Sequence, residues 1–167
     1  DIIVDVMRQP KWRKRRLKVL FYGHDQGNKR QLLELIKMHG LEDQLEFSGY
    51  SDNVEDIWEK NHALLLPSRY EGAPLVVIEA MLCNRIAITT DIGRNRELMD
   101  DNESGFVALG ATVELLDEAL ERAWQKRHQW RELGELAGRQ IRERYSDDPV
   151  RDFAEDLKKI GCSKVEG

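Results

Sequence analysis

The chain has 167 residues, 41% hydrophobic and 34% charged, a balance that fits one globular domain over 1–167 with its own core. No apolar run reaches the roughly 20 residues of a spanning helix, and no basic leader opens the chain, so neither a membrane-embedded nor a secreted protein is expected. The net charge of −5 argues against general nucleic-acid binding.

Along the chain, helical and strand patterns alternate. Residues 1–8 read as a helix with Ile2, Ile3, Val6 and Met7 on one face, ending near Pro10. A basic run follows, Lys11-Trp12-Arg13-Lys14-Arg15-Arg16. It is either a contact for an anionic surface, membrane or nucleic acid, or a solvated connection. Leu17–Tyr22 reads as a strand ending at Gly23. Asn28–His39 reads as a helix with Leu32, Leu33, Leu35 and Ile36 inward, closed by Gly40. Leu45–Ser48 is the next strand, ending at Gly49, and Ser51 or Asn53 caps a helix through Lys60. Then come strand 63–66, helix 74–83, strand 86–89, a short helix near 95–99 and strand 105–108. Thr112 opens a helix to about His128, with further helices over Trp130–Arg144 and Pro149–Ile160. The strands are continuously apolar rather than alternating. That predicts an α/β, Rossmann-like three-layer sandwich with a parallel sheet covered on both faces.

Ligands in such sheets bind outside the carboxyl ends of the strands. Gly23, Gly49, Glu71 and Gly93 each follow a strand end and are expected on one rim. The richest stretch is Pro67-Ser68-Arg69-Tyr70-Glu71-Gly72-Ala73-Pro74, running into Leu75-Val76-Val77-Ile78-Glu79. Pro74 suits a first helical position, and the opening N–H groups behind it form a phosphate site. Glu79 lies one turn inside the helix, roughly 6 Å above Leu75, where a carboxylate can accept two hydrogen bonds from a ribose diol. Glu71, in the loop, faces whatever hangs from the far side of the phosphate. Sugar, diphosphate and ribose in that order describe a nucleotide-sugar. Gly72, Ala73, Leu75 and Val76 would act through backbone N–H groups. Tyr50 is either a stacking surface for the base or a packing residue. Arg94, after Gly93, either reaches a phosphate or projects into solvent. His24 is a weaker rim candidate. The four histidines have no metal-ligand spacing, and no metal or other cofactor is expected. The dinucleotide-like Gly23-x-x-x-Gly27 lacks a third glycine. Cys83 and Cys162 also lack metal spacing; Cys83 reads as a buried small hydrophobe, and a reducing cytosolic compartment is the simplest expectation.

This segment resembles the donor-binding motif of retaining glycosyltransferases of family 4, which have the GT-B fold. Their two glutamates, with seven residues between them, correspond to Glu71 and Glu79 within Pro67-Ser68, Glu71-Gly72-Ala73-Pro74 and Glu79-Ala80-Met81. Phe47-Ser48-Gly49-Tyr50, Ile86–Gly93, Glu97-Leu98 and Glu103–Val107 resemble further family stretches, so the likeness covers roughly residues 17–110. Asn84 stands where the family has glycine after the motif helix, and Arg94 where it often has a second glycine. The resemblance implies the C-terminal, donor-binding half of a two-domain enzyme whose N-terminal acceptor domain is absent. It assigns Glu71 to the donor hexose and Glu79 to the ribose. It implies hexose transfer from a nucleoside diphosphate sugar with retention, without a metal. A family arginine and lysine that neutralise the diphosphate fall upstream of residue 1, so this piece is expected to bind donor weakly and not to catalyse transfer. Of the two functional readings of the basic run, it favours a peripheral contact at the inner face of a membrane over a nucleic acid. The rival readings are a GT-B nucleotide-sugar epimerase, a non-catalytic nucleotide-binding module and an unrelated phosphate-binding domain.

Overall fold

The structure is a computed structural model that describes residues 1–145 apart from Gln26 and Ala73. The expected helix Pro149–Ile160, Cys162 and the Ala73 backbone contact lie outside the described residues. Strands and helices alternate as the pattern requires: α1 (Ile2–Met7), α2 (Pro10–Arg13), β1 (Val19–Tyr22), α3 (Lys29–Met38), β2 (Leu45–Gly49), α4 (Val54–Lys60), β3 (Ala63–Leu66), α5 (Leu75–Leu82), β4 (Ile86–Thr90), α6 (Asn95–Leu98), β5 (Gly105–Ala108), α7 (Val113–Gln125) and α8 (Trp130–Arg144). A single 3-10 turn, Arg127–Gln129, separates the last two.

Strand residues alternate between two cores. Ile86, Ile88, Phe106 and Ala108 face α1 and α7, with Val4, Val6, Leu116 and Leu120 against them. Ala87 and Val107 face the other way, onto Val77 and Met81 of α5 and Ala137 and Ile141 of α8. β4 and β5 are buried along their whole length. This is the three-layer arrangement that continuous apolar strands demand.

All pairings are parallel, but the strands form two sheets rather than one. β1 pairs with β2, and β3, β4 and β5 form the other. β1 and β3 face each other across a cleft of about 1220 Å³ instead of sharing a ladder. Two-sided burial predicts parallel strands, but it carries no information about which edges bond.

The amino-terminal region also departs from expectation. Pro10 does not merely end α1; it opens α2, where its fixed φ and missing N–H suit a first helical turn. The basic run is partly built into the fold. Trp12 is fully buried, and its Nε1 donates to Asp117 Oδ1 at 2.6 Å. Lys11 pairs with Asp117 at 2.7 Å, and Arg15 grips Glu121 through two bonds of 2.7 and 2.8 Å. The Arg15 guanidinium also lies over the Trp12 ring at 4.2 Å. Arg13 donates to the carbonyls of His39 and Gly40. Three of the run's five cations therefore tie α2 to α7 and to the end of α3, while Lys14 and Arg16 are exposed. Among the described residues, no helix is long and apolar enough to cross a membrane.

The hydrogen bonds from Arg15 hold the Glu121 carboxyl down at about 2, against an opposing push from burial and with help from Gln125 and Lys11. A carboxyl depressed in the folded state stabilises above its ordinary pKa of 4.5, and that contribution is lost as pH falls from there toward about 2. Glu121→Gln should flatten the dependence of stability on pH in that window; urea midpoints on either side of it, compared with wild type, check this. An unchanged profile would contradict the assignment.

In α3, Ile36 is buried and Leu32 and Leu35 half-buried, but Leu33 is exposed, so it is not an inward residue. Asn53 caps α4 by accepting from Glu55 N–H, and Ser51 accepts from Asn53 N–H one step earlier. Asn84 holds φ +57, so the turn after α5 survives without the family's glycine.

Candidate functional site

Two loop clusters cap the strand ends. The first lies after β1 and β2. Gly23 N–H donates to Gly49 O at 2.9 Å, tying the two turns together. Tyr50 is 57% exposed and stacks on His24, ring centroids 4.1 Å apart and 17° from parallel. It is thus not a packed core tyrosine. A pocket of about 240 Å³ beside it is lined by Gly23, His24, Asp25, Lys29, Phe47 and Gly49.

The second cluster lies after β3 and β4. Here Glu71 is half-buried and accepts from Ser68 Oγ at 2.7 Å. The Ser68 carbonyl accepts from Thr90 Oγ1 at 2.6 Å, and the Thr90 carbonyl from Asn95 Nδ2 at 3.0 Å. Gly93, at φ +59, brings its Cα against the Glu71 and Gly72 carbonyls; a Cβ there would collide with the first and lie 2.6 Å from the second. Arg94 N–H donates to Gly72 O at 3.3 Å. The structure thus joins Glu71, Gly72 and Gly93. Tyr22 lines both that pocket and the cleft between β1 and β3, whose walls also carry Leu66, Val76 and Glu79. The four rim residues therefore fall into two groups, Gly23 with Gly49 and Glu71 with Gly93.

Helix α5 begins at Leu75, one residue later than the sequence pattern suggests, with buried Pro74 in the capping position. Proline offers no side-chain acceptor, and none caps this helix. A helix leaves its opening N–H groups without internal partners, and α5 carries no acid in its first turn. Leu75 is 68% exposed at this head, and Val76 lines the cleft. Helix α3 is different. Asp25 Oδ1 accepts from Gly27 N–H at 2.8 Å and from Lys29 N–H at 3.3 Å, so a carboxylate already occupies that helix head. Of the four helices that follow rim loops, α4 is capped by Asn53 and α6 carries Glu97 in its first turn, which leaves α5 as the one ready for an anion.

Arg94 does not reach toward that anion: its guanidinium turns to Glu97 at 2.7 Å, which raises its pKa. Arg69 pairs with Asp1 at 2.8 Å. Cys83 is half-buried rather than buried, and burial followed by the Glu55 carboxylate pushes its thiol up, away from thiolate chemistry. Among the described residues, no group of three or more His, Cys, Asp or Glu is placed to hold a metal.

Ser68, Thr90 and Asn95 escaped the sequence reading. Ser68 stands in the motif stretch, but its spacing to Glu71 does not by itself mark a side-chain contact. Thr90 and Asn95 act across the sheet, and nothing in local spacing marks them.

The family model described as glycosyl transferases group 1 matches residues 1–140. The chain belongs to that family. N-acetyl-alpha-D-glucosaminyl L-malate synthase of Bacillus anthracis is 28% identical over 120 residues, covering 71% of this chain and 31% of that protein. The chain therefore spans less than a third of that relative. Among solved structures, Anabaena Alr3699/HepE in complex with UDP matches with a TM-score of 0.81 at 19% identity, over 95% of this chain and 44% of that one. The C-terminal domain of LpcC, a glycosyl transferase group 1 family protein of Francisella tularensis, matches with a TM-score of 0.74 at 18% identity, over 87% of this chain and 78% of that one. At these identities the structures show the fold: a glycosyl transferases group 1 domain with the Rossmann-like architecture of a GT-B half.

Proposed function

We propose that this chain is the donor-binding, C-terminal half of a two-domain, retaining glycosyltransferase of family 4. It takes a nucleoside diphosphate hexose. The observation that carries the reading is the head of α5, which has no capping side chain and stands between Glu71 in its loop and Glu79 one turn inside. The N–H groups of Gly72, Ala73, Leu75 and Val76 hold the diphosphate and the sugar hydroxyls. Glu79 accepts from the ribose diol, Tyr50 stacks on the base and Glu71 meets the hexose near its reacting carbon. No metal takes part; helix dipole and backbone N–H groups carry the phosphate charge. With Arg69 and Arg94 both paired to carboxylates, little side-chain charge is left in these loops for the leaving diphosphate. The chain alone therefore binds donor weakly and transfers nothing, and the N-terminal half supplies the acceptor site.

Glu79→Ala tests the ribose contact. Hydrogen bonds to a charged group contribute about 1.5–3 kcal/mol, so affinity for the preferred nucleotide among UDP, GDP and ADP should fall about tenfold or more. Binding of inorganic phosphate should not change. Ligand-observed NMR titration reads both. Unchanged nucleotide affinity would leave a simple phosphate site instead.

A further inference from the structure

We propose that Ser68 is a positioning residue for Glu71: its hydroxyl fixes the carboxylate so that one oxygen is held by the protein and the other meets a hydroxyl of the donor hexose. This rests on the donor-binding reading above and assigns the hexose contact a dedicated support.

Glu71 sits in a loop, where a glutamate has several rotamers to lose before it can make a directed hydrogen bond. The Ser68 hydroxyl removes that freedom by donating to Oε1 at 2.7 Å, a charge-assisted bond. A serine in a mobile loop could not do this alone. Ser68 is itself anchored, because its carbonyl accepts from Thr90 Oγ1 at 2.6 Å. Thr90 ends the fully buried strand β4, and its carbonyl accepts from Asn95 Nδ2, another fully buried side chain, at 3.0 Å. Three hydrogen bonds in series thus run from a buried asparagine to the carboxylate. Gly93 fixes the same loop from its backbone side, packed on the Glu71 and Gly72 carbonyls. With Oε1 committed to Ser68, Oε2 is the oxygen that a sugar hydroxyl takes. Ser68 touches no reacting atom in this scheme; it acts through Glu71.

The readout is the gain in affinity that the hexose adds to the nucleotide. Each of UDP, GDP and ADP is titrated against its hexose conjugate, UDP-glucose, GDP-mannose or ADP-glucose, and the pair that the wild-type chain holds tightest is used. Ser68→Ala should cut the hexose gain about tenfold and leave nucleotide affinity within about twofold, since the phosphate and ribose contacts lie on α5. Ser68→Thr, which keeps the hydroxyl, should restore the gain. A Ser68→Ala chain that keeps the full gain overturns the proposal. So does one that loses nucleotide and hexose affinity together, because that is the signature of a disordered loop. A wild-type chain that binds nucleotide but gains nothing from the hexose removes the donor reading of Glu71 and this inference with it.

Discussion

Trp12→Ala should lower the unfolding free energy by about 3–5 kcal/mol, the usual cost of emptying a buried tryptophan site. Trp12 is fully buried although it stands inside the most basic run of the chain. Its ring meets Trp124 edge-on, centroids 6.2 Å apart, and carries the Arg15 guanidinium on its face. Its Nε1 donates to Asp117, which also pairs with Lys11. Removing the indole leaves a cavity between α2 and α7, takes one partner from a carboxylate, and frees the arginine that grips Glu121. The terms share partners, so they will not add as independent losses. Urea unfolding followed by circular dichroism measures the change. A loss below about 1 kcal/mol, the scale of a surface substitution, would mean that the run is the solvated connection its composition suggests.

Gly93→Ala should damage stability and ligand binding together. The residue holds φ +59, where a Cβ costs about 1–2 kcal/mol by itself. The new methyl would also collide with the Glu71 carbonyl and crowd that of Gly72. Both obstacles are backbone, so the relief must come from moving the loop that carries Glu71 and Gly72. A stability loss of about 2 kcal/mol or more is expected, with at least a tenfold loss of nucleotide-sugar affinity. Thermal unfolding and the titration described above check the two parts. A variant that unfolds earlier but binds as well as wild type would separate the loop's packing from the proposed site.

The local features of this molecule were legible in its residues. Apolar runs ending at Gly23, Gly49 and Pro67 marked strand ends, and the Pro74–Glu79 segment marked the helix that heads the site. What local spacing cannot contain is the choice of partner across space. Lys11 and Arg15 looked like surface charge because Asp117 and Glu121, which neutralise them, lie about a hundred positions later on the outer turns of α7. The division between β1 and β3 was hidden for the same reason: both strands have the composition of a buried parallel strand, whatever their edges do. In α8, Gly134 and Gly138 carry no local signal of their role. They are where α8 seats on the turn after α5, for a Cβ at either would collide with Asn84. The site itself divides likewise. Glu71 and Glu79 were visible by type and spacing. Their surroundings were not, namely Ser68 through Thr90 for the first and the Asp25 carboxylate that closes the rival helix head.

The choice between those two helix heads decides the function proposed for this chain. Backbone amide spectra of a ¹⁵N-labelled chain, recorded while the preferred nucleotide-sugar is added, read it residue by residue. Saturable shifts at Gly72, Leu75, Val76 and Gly93 are the predicted result. Shifts confined to Gly23–Lys29, with the head of α5 unmoved, would contradict it and put the phosphate at α3.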